Sequence, residues 1–189
     1  MYDNFYWMNH FGDPGYKYHA TMSALWGVTG LRLAQADILP FDFAFYGRTL
    51  NSFIDDLKKN PRYDANKINL DNLQKSAVAF EAAGKNVKTL LDRKVASGEV
   101  DPQTAERFNR SILKVESNWL NPDGIPGRPW FKHLLYSARY TYAHLELPGL
   151  TEAVESQKWD EAQRQSEILA KAIDTNTTLL QELEKQRQQ

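Results

Sequence analysis

The 189-residue sequence contains no cysteine. Disulfides, thiolate metal sites and cysteine nucleophiles are therefore excluded together, and the redox compartment stays undetermined. An excess of charge is also missing: 23 basic side chains stand against 24 acidic ones, a net charge of −1. Without a long-range field, nucleic acid and anionic membrane surfaces are poor partners. No apolar run approaches the roughly 20 residues that span a bilayer. Met1-Tyr2-Asp3-Asn4 lacks a basic stretch followed by an apolar one, so no secretion signal is read.

Histidine is scarce, with four in the chain. A zinc site needs three or four converging ligands, and helical ligands pair at i and i+3 or i+4. Around His19 those spacings hold only Gly15, Tyr16, Met22 and Ser23, and His10 is cut off from Asp13 by the helix breakers Gly12 and Pro14. Both read as structural. His133 and His144 fall in a loop, where a site histidine is better placed, yet a hydrogen-bonding role is still the commoner one. GxSxG, HExxH and a phosphate-cradling glycine loop are absent. Asp55-Asp56 before Lys58-Lys59 reads as a solvated helix face. Two glycosylation-type triplets, at Asn109 and Asn176, sit on predicted helices. Residue chemistry gives no complete active site and no metal ligands.

What is present is a normal apolar share, 42%, unevenly dressed with aromatics. Thirteen of the 23 aromatic residues precede residue 54, and none follows Trp159. Such a start reads as surface meant to pack against something. Apolar spacing predicts helices from about Lys17, Asp42, Asn69, Asp101 and Trp159. The cleanest stripe is Leu70, Leu73, Ala77, Phe80, Gly84, Val87 and Leu91, closed by Ser97-Gly98. Asp42 and Asp101 are placed as N-caps, the latter followed by a first-turn Pro102. The expected core includes Phe80, Leu91, Phe108, Ile112, Leu169 and Ile173.

Residues 121–129 (NPDGIPGRP) cannot be regular structure, and residues 130–150 show no helical stripe. The expected fold is mainly α: an antiparallel helical bundle with a long, irregular Pro/Gly/aromatic loop before the last helix, and no sheet. Loops of that length are usually functional. The expected layout is a single domain, 1–189, with a distinct segment at 1–16, an ordered loop at 121–150 and a fraying tail at 184–189.

Two separated stretches carry a resemblance. Phe11-Gly12-Asp13-Pro14-Gly15-Tyr16-Lys17-Tyr18-His19 followed by Leu39-Pro40-Phe41-Asp42, and then Asn121-Pro122-Asp123-Gly124-Ile125-Pro126-Gly127-Arg128-Pro129-Trp130-Phe131-Lys132-His133 with Leu147-Pro148-Gly149-Leu150, agree in order and spacing with one family. They resemble the dimerisation domain shared by glutamate carboxypeptidase II-like zinc metallopeptidases and the transferrin receptors. The resemblance implies a C-terminal piece of a larger zinc exopeptidase, catalytically incomplete alone. Residues 1–16 would be the segment leaving the peptidase domain. The family's zinc-ligating histidine would fall upstream of Met1; zinc is expected in the parent peptidase domain and no cofactor in this chain.

The resemblance also implies partners and a site. The partners are a second copy, the peptidase domain and the parent's peptide substrate. In the family a Lys-Tyr pair before the last helix reaches the pocket for a C-terminal glutamate. The tyrosine maps onto Tyr142, with buried packing as its other reading, and the lysine onto Thr141. The missing ammonium puts glutamate specificity in question, and Arg139 is the one nearby cation that could substitute. The parent's compartment is open: secreted, periplasmic or membrane-anchored with an extracellular ectodomain. A second reading, the dimerisation domain of a metal-free receptor-like relative, differs only in residues outside this chain.

Overall fold

A computed structural model describes residues 4–98, 100–139 and 143–185. It divides into two compact units, 1–40 and 41–189.

The first unit opens with a helical turn, α1 (Phe5–Trp7), that widens into a π-helical turn, Met8–Gly12, and is followed by α2 (Lys17–Ala34). Asn4 caps α1 through the Trp7 N–H at 2.9 Å. Wide turns of this kind need a reason. Here Gly12 supplies one, since a Cβ there would meet the Trp7 ring at 2.6 Å and Met8 Sδ at 2.7 Å. α2 buries none of its residues. Periodicity located this helix, and its stripe of Tyr18, Met22, Leu25, Trp26 and Leu33 is at least 45% exposed.

In the second unit, α3 (Phe43–Lys58), α4 (Asp71–Ser97), α5 (Pro102–Ser117) and α7 (Trp159–Lys185) form a helical bundle, with a short α6 (Pro148–Glu155). α4 packs on α3 and α7, and α5 and α6 pack on α7. The predicted ends hold. Asp42 accepts the Phe45 N–H at 2.9 Å, and Asp101 accepts those of Gln103 and Thr104 at 2.9 and 3.0 Å. Gly98 closes α4 at φ +69°, in the left-handed region that favours glycine. Phe80, Leu91, Phe108, Ile112, Leu169 and Ile173 are all buried.

The polar members of the α7 stripe are also inside. Asn176 is completely buried; it accepts from Asn118 at 2.8 Å and donates to the Val115 carbonyl at 3.2 Å. Its polarity is thus matched by partners rather than by water.

The region before α7 differs from expectation in two ways. β1 (Tyr136–Ala138) and β2 (His144–Glu146) pair antiparallel, Tyr136 opposite Glu146 and Ala138 opposite His144. Three residues per strand carry too little alternation to be read, and only Ser137 and Leu145 point inward. Pro148 at the first turn then begins α6, preceded by Leu147 at φ +48°. Two turns burying Leu150, Ala153 and Val154 are too short for a visible stripe. Of the tail expected to fray, 184–189, Glu184 and Lys185 are helical and residues 186–189 lie outside the described residues.

Candidate functional site

The Pro/Gly loop is ordered by its own side chains. Asn121 donates to the Gly124 carbonyl at 2.6 Å. Gly124 lies at φ +74°, where a Cβ would sit 2.5 Å from the Pro129 carbonyl oxygen. Arg128 spans from the loop to α6, placing Nη2 2.6 Å from both oxygens of Glu152, and its guanidinium lies 5.9 Å from the Phe131 ring centre. Lys132 donates to the Pro122 carbonyl.

This loop delivers the chain to the β1–β2 pair, and the candidate site residues lie between its two strands in the sequence. Thr141 and Tyr142 lie outside the described residues. Arg139 is described. Its N–H donates to the Ala143 carbonyl at 3.1 Å, and its guanidinium donates to Glu155 Oε1 of α6 at 2.9 Å. Glu155 also accepts from Asn60 at 3.4 Å, while its main-chain carbonyl takes the Arg62 guanidinium at 2.5 Å. The hairpin base is therefore pinned to α6 and to the turn after α3. Beside it lies a cavity of about 370 Å³ lined by Asn60, Arg139, His144, Glu146, Thr151 and Glu155.

The four histidines fall into different settings. His133 Nδ1 accepts the N–H groups of Leu135 and Tyr136, both at 3.2 Å. That use requires an unprotonated nitrogen, and burial lowers the ring's pKa in the same direction. His144 lies exposed on β2, 3.2 Å from Glu146. In the first unit, His10 contacts the Tyr6 carbonyl at 2.7 Å and stacks on the Tyr6 ring. His19 Nδ1 meets Asp13 Oδ2 at 2.5 Å. Asp13 is 3% exposed and also accepts the N–H groups of Tyr18 and His19. Burial would raise its carboxyl, but hydrogen bonds from the His19 ring and these two amides outweigh it and hold the pKa at about 2. Asp13 thus ties down the start of α2, four residues ahead of it. Among the described residues no three His, Asp or Glu side chains come together as a metal site.

Among the described residues the base of the hairpin is tied to α6 and to the turn after α3, and no metal-ligand set converges there. The family model for the transferrin receptor-like dimerisation domain matches residues 67–181, from the start of α4 through most of α7. The chain belongs to this family. Similarity extends beyond the matched residues: 31% identity to "Probable glutamate carboxypeptidase LAMP1" of Arabidopsis thaliana over 92% of the chain, and 30% to "Probable glutamate carboxypeptidase" of Arthroderma benhamiae over 82%. "Aminopeptidase NAALADL1" of Rattus norvegicus is 25% identical over 95%. The chain spans only about a quarter of these relatives: 26%, 22% and 25% of their lengths. The family's description, a dimerisation domain, implies self-association, and among the described residues no helix is long and apolar enough to cross a membrane.

Spacing alone did not point to Glu152 and Glu155, the carboxylates that fix the loop and the hairpin to α6. The available signal was Leu-Pro-Gly followed by six residues of helix-forming character, with both acids on one short helix.

Proposed function

We propose that this chain is the dimerisation domain of a zinc-dependent exopeptidase and supplies one wall of its substrate pocket through the β1–β2 turn. The observation carrying this reading is the similarity to named peptidases along more than nine-tenths of the chain, joined to a hairpin base pinned by Arg139 and Glu155. Pinning the base fixes where the chain enters and leaves the segment that carries Thr141 and Tyr142. Zinc does not fit the described residues, which offer no converging ligand set, and in this reading its ligands belong to the rest of the protein. The named relatives are peptidases, which favours an enzyme over a receptor-like parent.

In such a pocket Tyr142 would donate a hydrogen bond to a peptide's terminal carboxylate. Thr141 offers no charge, and Arg139 already shares its charge with Glu155. Preference for a C-terminal glutamate should therefore be weak. In the full-length protein, Thr141→Lys should raise kcat/KM for glutamate-terminated peptides about tenfold relative to leucine-terminated ones, the scale of one charge-assisted hydrogen bond. Tyr142→Phe should lower kcat/KM on both. If neither substitution changes either ratio, the turn does not reach the pocket.

A further inference from the structure

A second cavity, of about 360 Å³, lies along α3 and shares Phe53 with the cavity at the hairpin base, but none of the candidate site residues lines it. α3 contributes Phe45, Tyr46 and Phe53; the last turn of α5 contributes Glu116; the segment leading into β1 contributes His133 and Tyr136. Trp119, completely buried, also lines it. The walls brace each other: Phe53 and Tyr136 meet edge to face at 5.6 Å, and the Tyr46 hydroxyl donates to Glu116 Oε1 at 2.8 Å. The site is still open, because Phe45 is 59% and Tyr136 44% exposed.

Its electrostatics are one-sided. No lysine or arginine lines it among the described residues. Among the described residues the partner of Glu116 is a neutral hydroxyl. Burial and the neighbouring carboxylate push the Tyr46 hydroxyl above its ordinary pKa, and burial raises that of Tyr136, so both stay protonated. His133 is kept neutral by burial and by the two amides that its Nδ1 accepts. Among the described lining residues the one charge is therefore the Glu116 carboxylate, set among aromatic rings whose faces are the negative pole of each quadrupole. Rings and a lone carboxylate together favour a cation that is weakly hydrated and can lie against the rings. Outside the cavity Arg48 already shows this affinity, 5.7 Å over the Phe45 ring. The volume falls in the range of small-molecule sites, roughly 300–1,000 Å³.

We propose that this aromatic cavity, closed on one side by Glu116, is a binding site for a small organic cation of the quaternary ammonium type. The discriminating probes are choline and its neutral isostere 3,3-dimethylbutan-1-ol, titrated at constant ionic strength into the 189-residue chain. The readout is the indole N–H resonance of Trp119, whose Nε1 has no hydrogen-bond partner among the described residues and so reports changes in its surroundings. Choline should bind about tenfold more tightly than the alcohol, the discrimination expected of a partly desolvated cation–π site. Glu116→Gln keeps an acceptor for Tyr46 but removes the charge, and should abolish that difference. Phe45→Leu, at an exposed position that tolerates change, should weaken choline severalfold and leave the alcohol unaffected. Equal affinity for the two probes overturns the proposal. So does the absence of any Trp119 response to choline at ~50 mM, or a choline affinity unchanged in both variants.

Discussion

Helix α3 crosses α4 so closely that two glycines carry the contact, and this gives a prediction whose sign is informative. A Cβ at Gly47 would lie 2.4 Å from Glu81 Cα, and one at Gly84 would lie 2.5 Å from Ala44 N and from the Phe43 carbonyl carbon. Both obstacles are backbone, which no side-chain rotation can clear. In an open helix interior, Gly→Ala stabilises by about 1 kcal/mol. Here the ordinary carbon–carbon separation of about 3.5–4.0 Å can be restored only by moving the helices apart by about 1 Å. That movement loosens the edge-to-face contact of Phe43 with Phe80, whose ring centres are 6.4 Å apart, and the packing of fully buried Leu50 and Ile54. Overpacking costs ~1–3 kcal/mol in a well-packed core and more against rigid backbone. Allowing about 1 kcal/mol for propensity, Gly47→Ala and Gly84→Ala should each destabilise by roughly 2 kcal/mol. The double variant should cost less than the sum, because one separation relieves both clashes. Urea unfolding followed by Trp119 fluorescence measures it, the midpoint falling with the slope unchanged. Gly149→Ala is the internal comparison: its obstacle is the end of the Gln165 side chain, so its cost should be well below the other two. A Gly84→Ala protein as stable as the wild type, or more so, would show that α3 and α4 do not pack backbone to backbone.

Phe108, buried in α5, should cost ~3–5 kcal/mol when replaced by alanine, and an unchanged unfolding midpoint would refute its core placement. Asp13 has a carboxyl depressed from 3.8 to about 2, so its support of the α2 N-terminus is complete above pH 4 and is lost as pH falls from about 4 through about 2. Amide exchange at Tyr18 and His19 should accelerate across that window, and Asp13→Asn should remove the dependence. In the first unit Phe5 and Phe11 are 74% and 67% exposed, and aromatic surface of that size seeks a neighbour. Light scattering should find the chain as a dimer at ~100 μM, the scale of a weak interface. Trp7→Ser should weaken it if the first unit lies in the contact; a strictly monomeric wild type would refute self-association through this chain.

The helices of the second unit, their caps and their buried stripes are local facts of the sequence. A helix returns to the same face every three or four residues, and Asp42, Asp101 and Gly98 act on backbone groups within four residues of themselves. Those features were legible without a structure, as was the unusual loop of residues 121–133. Three things were not. The hairpin and α6 are too short for any period to emerge, and they exist because Leu145, Leu150 and Val154 find a surface to bury against. What covers α2 was hidden because a stripe records only that one face of the helix is apolar, and covering depends on surfaces distant in the chain. Pairings such as Tyr46 with Glu116, Asn118 with Asn176 and Arg139 with Glu155 join residues 70, 58 and 16 positions apart. Spacing along the chain has no term for such pairs. Only the packing of one helix on another brings those atoms within hydrogen-bonding distance, and with them the two cavities where this protein's chemistry is to be tested.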